Sequence, residues 1–94
     1  MNEILMRVYK NEGLEVMEMK FYTKGLRGLM YDNRIGINET LSEDEKLETL
    51  AHELAHHYLH YDKGNTIDSP LHDAYEEQAE RASKMVLDIL KVIV

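Results

Sequence analysis

Ser42-Glu43-Asp44-Glu45-Lys46-Leu47-Glu48-Thr49-Leu50-Ala51-His52-Glu53-Leu54-Ala55-His56-His57-Tyr58-Leu59-His60 decides the reading of this chain. Ser42 followed three residues later by Glu45 is a capping box, which marks where a helix starts. Leu47, Leu50, Ala51, Leu54, Ala55, Tyr58 and Leu59 then recur at helical spacing and define its expected buried stripe. Within that helix stand His52 and His56, an i, i+4 pair. Such a pair lies one turn apart on one face, so the two imidazoles can converge on a single ion.

Glu53 sits about 60° around the helix from His56 by the 3.6-residue period. That offset suits it less to be a third ligand than to reach a water held on the ion. Zinc lowers the pKa of its bound water to about 7, and a carboxylate beside that water can take its proton and pass it to a leaving amine. Glu53 is therefore the expected catalytic base.

A catalytic zinc usually takes three protein ligands and keeps one position open. The third must come from outside this helix, and Asp68, His72, Glu76, Glu77 and Glu80 are candidates. The reading adopted is Glu76, twenty positions after His56. Glu80 lies one turn further along the same helix face and is expected to orient a histidine through its other ring nitrogen.

The flanking segments supply the frame. Ile4, Leu5 and Val8 form a short helical stripe that Gly13 closes. Met17, Met19 and Phe21 alternate with Glu18 and Lys20 as in a strand, and the methionines 6, 17, 19 and 30 read as core fillers. Leu29-Met30-Tyr31 and Arg34-Ile35-Gly36-Ile37-Asn38 flank a tight Asp32-Asn33 turn and read as a hairpin. Gly28 and Gly36 mark bulges or a close approach of another backbone. Residues 62–69 read as a loop, and Ser69-Pro70 as the start of a last helix. That helix is expected to turn Ala74, Tyr75, Ala79, Ala82, Val86, Ile89, Leu90 and Ile93 inward. The expected architecture is a single α+β domain over residues 1–94, with a small three-stranded antiparallel sheet packed on helices.

If Arg34–Asn38 forms a sheet edge, its free N–H and C=O groups would pair with an extended peptide, making Ile35, Gly36 and Ile37 a substrate-binding strand. Gly36 has no side chain to block that approach.

Composition narrows the function classes. Of 94 residues none is cysteine, so disulfides and thiolate metal sites are excluded and a transition metal must be held by His, Asp and Glu. The net charge of −7 argues against nucleic acid as a main ligand. No apolar stretch approaches the length of a membrane span, and Met1–Arg7 does not read as a signal peptide. The cytoplasm is the expected location. The apolar ending Ile89-Leu90-Lys91-Val92-Ile93-Val94 reads as core packing or a dimer contact, so a monomer or weak dimer is expected.

The segment from Arg34 to His56, a strand feeding a helix that carries Ala51-His52-Glu53-Leu54-Ala55-His56, resembles the ImmA/IrrE family of metallopeptidases. Glu76-Glu77-Gln78-Ala79-Glu80-Arg81-Ala82 is similar to that family's second conserved element, with Gln78 in place of its second Glu and Glu80 where Asn or Asp is usual. The resemblance implies a Zn2+-dependent endopeptidase, with His52, His56 and Glu76 as ligands and Glu53 as base. Its implied substrate is a protein, typically a helix-turn-helix repressor of a phage or mobile element. The competing class is a metallopeptidase-like module that binds a regulator and uses zinc only for structure. An intact Glu53 favours the enzyme, since a structural site has no use for a base.

Overall fold

A computed structural model describes residues 2–60 and 72–93. Its element order is α1 (Glu3–Asn11), β1 (Glu15–Met19), β2 (Gly28–Tyr31), β3 (Arg34–Asn38), α2 (Glu43–His60) and α3 (His72–Ile93). This is the α+β class. Asp68 and the Ser69-Pro70 start lie outside the described residues.

Local chemistry accounts for most element ends. Asn2 caps α1, its side chain accepting from the Leu5 N–H at 3.1 Å. Gly13 ends the segment with φ of 71°, a left-handed conformation that glycine adopts without steric cost. At α2 the capping box is reciprocal. The Glu45 N–H donates to Ser42 Oγ at 3.2 Å, and the Ser42 N–H donates to Glu45 Oε1 at 3.1 Å.

The sheet corrects one expectation. It is mixed, in the order β1-β3-β2, with β1 parallel and β2 antiparallel to β3. The hairpin turn forms with Asp32 at φ of 58°, but it swings β3 rather than β2 against β1. Residues 20–27, long enough to pass over one strand position, make this order possible.

β3 is therefore the central strand, and the substrate-edge role of Ile35, Gly36 and Ile37 does not stand. Both edges of β3 are engaged, Ile35 and Ile37 are fully buried, and a Cβ on Gly36 would sit 2.5 Å from Met19 Sδ. No backbone hydrogen-bonding row remains there for a peptide to pair with.

The inner face of the sheet carries Val16, Met30, Ile35 and Ile37 against α1 and α2, where they join Leu5, Tyr9, Leu14, Leu50, Leu54 and Leu90 in the core. Glu18 lies on that same face by strand alternation and pairs with the largely buried Lys46 of α2. The outer face carries Met17, Met19, Leu29 and Tyr31, all exposed. Met6 and Met30 do pack on the core, whereas Met17 and Met19 are not the fillers expected. Alternation separates two faces of a strand but does not say which one a helix will cover.

Two helix stripes also end early. Tyr58 and Leu59 are exposed at the end of α2, and Ala74, Ile89 and Ile93 are exposed on α3. α2 packs on α3, β2 and β3, whereas α3 packs chiefly on α2, so its buried stripe is narrow and Leu90 is covered while Ile89 beside it is not. No helix among the described residues is long and apolar enough to cross a membrane.

Candidate active site

Leu50, Ala51, Leu54 and Ala55 bury one side of α2, which fixes the helix's rotation and turns His52 and His56 toward α3. From beneath, the Tyr9 hydroxyl of α1 donates to the Leu50 carbonyl. Burial pushes the Tyr9 phenol far above its ordinary value, with the Glu53 charge adding to the shift. The group stays protonated and remains a donor. On α3, buried Ala79, Ser83 and Leu90 set the rotation that brings Glu76 and Glu80 over α2.

The two helices place three ligand atoms together. His52 Nε2 lies 3.1 Å from His56 Nε2. The Glu76 carboxylate faces both rings, with Oε2 3.2 Å from His52 Nε2 and Oε1 3.0 Å from His56 Nε2. The rings meet edge to face with centroids 4.7 Å apart, and all three residues are half-buried. Bonds of 2.0–2.1 Å in a tetrahedron put neighbouring ligand atoms about 3.3 Å apart. The observed separations are close to that, and two neutral imidazole nitrogens with one carboxylate oxygen form a donor set suited to a divalent transition metal. The cluster could hold such an ion with little rearrangement.

Glu80 Oε1 stands 2.9 Å from His52 Nδ1. The ring N–H is not aimed squarely at the carboxylate, so the distance alone marks the pair. Because the Glu80 side chain is 72% exposed, it is free to rotate into line. A hydrogen bond at Nδ1 leaves the Nε2 lone pair for a ligand.

Glu53 lies next to this cluster, half-buried, with Oε1 3.8 Å from where a Cβ on Gly28 would be. Burial pushes its carboxyl above the usual carboxylate range, the neighbouring His52 opposes that, and the Glu76 charge adds to it.

The remaining candidates fall elsewhere. Glu77 is turned to Arg81, 3.1 Å away, and is not part of the cluster. His72 is half-buried and also lies outside it. His57 and Tyr58 face Glu12 instead. His57 Nε2 is 4.0 Å from Glu12 Oε1, and the Tyr58 phenol hydrogen-bonds the same carboxylate.

A family model for the IrrE N-terminal-like domain, of peptidase family M78, matches residues 10–87. The chain belongs to this family. No curated protein and no solved structure matches it. The IrrE N-terminal-like match takes in the sheet, all of α2 and α3 as far as Leu87, and hence every residue of the metal cluster.

Beside the cluster this IrrE-like domain has a cleft of about 740 Å³, bounded by α2, α3 and the chain leading into β2. His52 and Glu53 stand at its wall, together with Arg27, Gly28, Arg81 and Lys84. Arg27, Arg81 and Lys84 were not singled out by the sequence. Gly28 reads in the sequence as a bulge or a close approach of another backbone; what approaches is a side chain, since a Cβ there would lie 2.7 Å from Thr49 Cγ2 of α2. Its missing side chain lets β2 approach the helix that carries His52 and His56.

Proposed function

We propose that the protein is a zinc-dependent endopeptidase. The observation that carries this reading is the convergence of His52, His56 and Glu76 within 3.0–3.2 Å, with Glu53 beside them at the wall of an open cleft. Zinc held by these three residues would polarise a scissile carbonyl and make a water acidic enough to attack at neutral pH. Glu53 accepts the proton of the attacking water and returns it to the leaving amine. Burial raises the carboxyl above the usual carboxylate range, which favours its holding the proton between the two transfers. Glu80 holds the His52 ring in the tautomer that leaves Nε2 free.

The substrate backbone has a natural seat on the outer edge of β2. Among the described residues no strand pairs with that edge. The Asn38 N–H donates to the Arg27 carbonyl at 2.8 Å, so the alternation of an antiparallel ladder turns the Gly28 and Met30 backbone groups outward. Gly28 also lies beside Glu53, whose Oε1 is 3.8 Å from where a Cβ on Gly28 would be. An extended peptide added there would cross the site as a further strand. The substrate is then a flexible or locally unfolded protein segment. The family resemblance supports a helix-turn-helix repressor of a phage or mobile element as its source, in the cytoplasm.

The test compares zinc-loaded wild type with Glu53→Gln on such a repressor, following cleavage by mass spectrometry. The variant keeps zinc and substrate binding and loses cleavage by several orders of magnitude. Equal cleavage by both would overturn the mechanism. A wild type that binds the repressor and cuts nothing would make the protein a binding module with a structural metal.

A further inference from the structure

Three positions on α3 follow one another at four-residue spacing and share a face: Glu76 at the metal cluster, Glu80 at His52, and Lys84 in the cleft beyond. The cleft's charged side chains can be accounted for individually. Arg27 is held by Glu45 at 3.4 Å and Glu48 at 3.6 Å. Arg81 is held by Glu77 at 3.1 Å. Glu80 stands against His52 Nδ1 at 2.9 Å, and Glu53 is the base. That leaves Lys84 as the cleft cation with no ion-pair partner among the described residues, next to the apolar Leu87.

We propose that Lys84 anchors an acidic side chain of the substrate, so that the cleft selects Asp or Glu at one position near the scissile bond. The inference rests on the endopeptidase reading above. Two helical turns separate Glu76 from Lys84, about 12 Å along the axis. An extended peptide rises about 3.3 Å per residue. The selected carboxylate therefore falls within about four residues of the cleaved bond, on one side of it.

The protein's charge of −7 works the other way at long range. At physiological ionic strength that field is screened over about 8 Å, so a contact pair inside the cleft outweighs it locally. Acid-rich segments are still disfavoured as a whole. The preference is for a single carboxylate in an otherwise neutral or basic peptide.

The experiment digests a proteome-derived peptide library with zinc-loaded wild type, Lys84→Ala and Lys84→Glu, and reads the cleavage products by mass spectrometry. Zinc content and circular dichroism verify that each variant is folded. Wild type enriches Asp and Glu at one position by about fivefold, the size of a half-exposed ion pair, and the enrichment shrinks with added salt. Lys84→Ala loses it, and Lys84→Glu replaces it with Lys and Arg. Wild-type cleavage without acidic enrichment at any position, or enrichment unchanged in Lys84→Glu, overturns the proposal.

The same library is equilibrated with immobilised Glu53→Gln, which needs no turnover. Acidic enrichment there that Lys84→Glu abolishes, with nothing cut by wild type, sustains the subsite while removing the endopeptidase reading. No acidic enrichment on that resin, with nothing cut, overturns both.

Discussion

Glu80 Oε1 and His52 Nδ1, on facing helices, stand 2.9 Å apart. The pair sets the ring of a candidate metal ligand against α3 at a point one turn beyond Glu76. Removing such a partner typically lowers metal affinity 10–100-fold. Glu80→Ala should weaken zinc binding by that factor in a competition titration against a chelator, and Glu80→Gln, which keeps an acceptor, should recover part of it. Wild-type affinity in Glu80→Ala would show that the pair orients nothing.

The ligand assignment itself predicts a sharp contrast between neighbours. His56→Ala and Glu76→Ala should lose stoichiometric zinc and should melt about 10 °C or more below the zinc-loaded wild type, since an ion that binds only the folded chain stabilises it by mass action. Glu77→Ala, whose side chain faces Arg81, should keep both. Elemental analysis and calorimetry decide the matter. Zinc retained in Glu76→Ala and lost in Glu77→Ala would reverse the choice.

Glu53 has a consequence for the metal-free chain. Its carboxyl is pushed up by burial, so the folded protein takes up this proton more readily than the unfolded one. The stability it contributes is full below the ordinary Glu value of about 4.3 and is lost as pH rises through the raised value. Metal-free Glu53→Gln should therefore melt above metal-free wild type at pH 7, with the gap closing toward pH 4. A gap that widens on acidification would contradict the burial described for Glu53.

Two glycines should respond oppositely to alanine. At Gly28 a Cβ meets Thr49 Cγ2 at 2.7 Å, on the helix that carries Glu53. Gly28→Ala should cost about 1–3 kcal/mol through overpacking and lower cleavage by shifting α2 against β2. At Gly36 the obstacle is Met19 Sδ at 2.5 Å, the mobile end of an exposed side chain, so Gly36→Ala should be nearly neutral in both. Thermal melts and cleavage assays compare them directly, and an inert Gly28→Ala would refute the close approach.

The parts of this molecule legible in the sequence are those set by neighbours in the chain. Ser42 and Glu45 cap α2 through contacts three residues apart, and the His52–His56 pair follows from helical geometry alone. What was not legible depends on distant partners. Nothing between residues 20 and 27 indicates that β3 will lie inside the sheet. Leu5 and Tyr9 share a helix face, yet the bond from Tyr9 to Leu50 spans 41 positions. Lys84 is one more lysine on an acidic helix until its neighbours' pairings are known.

The placement of His56 on α2 and Glu76 on α3 has a further effect. An ion bound by both closes a loop of about twenty residues as a reversible clasp. By the loop-entropy relation for cross-links, this removes on the order of 3 kcal/mol of freedom from the unfolded chain. The core of so small a domain is modest, so this is a large share of its stability. Metal supply would then govern how long the protein survives in the cell, because a starved chain opens more often to the proteases around it.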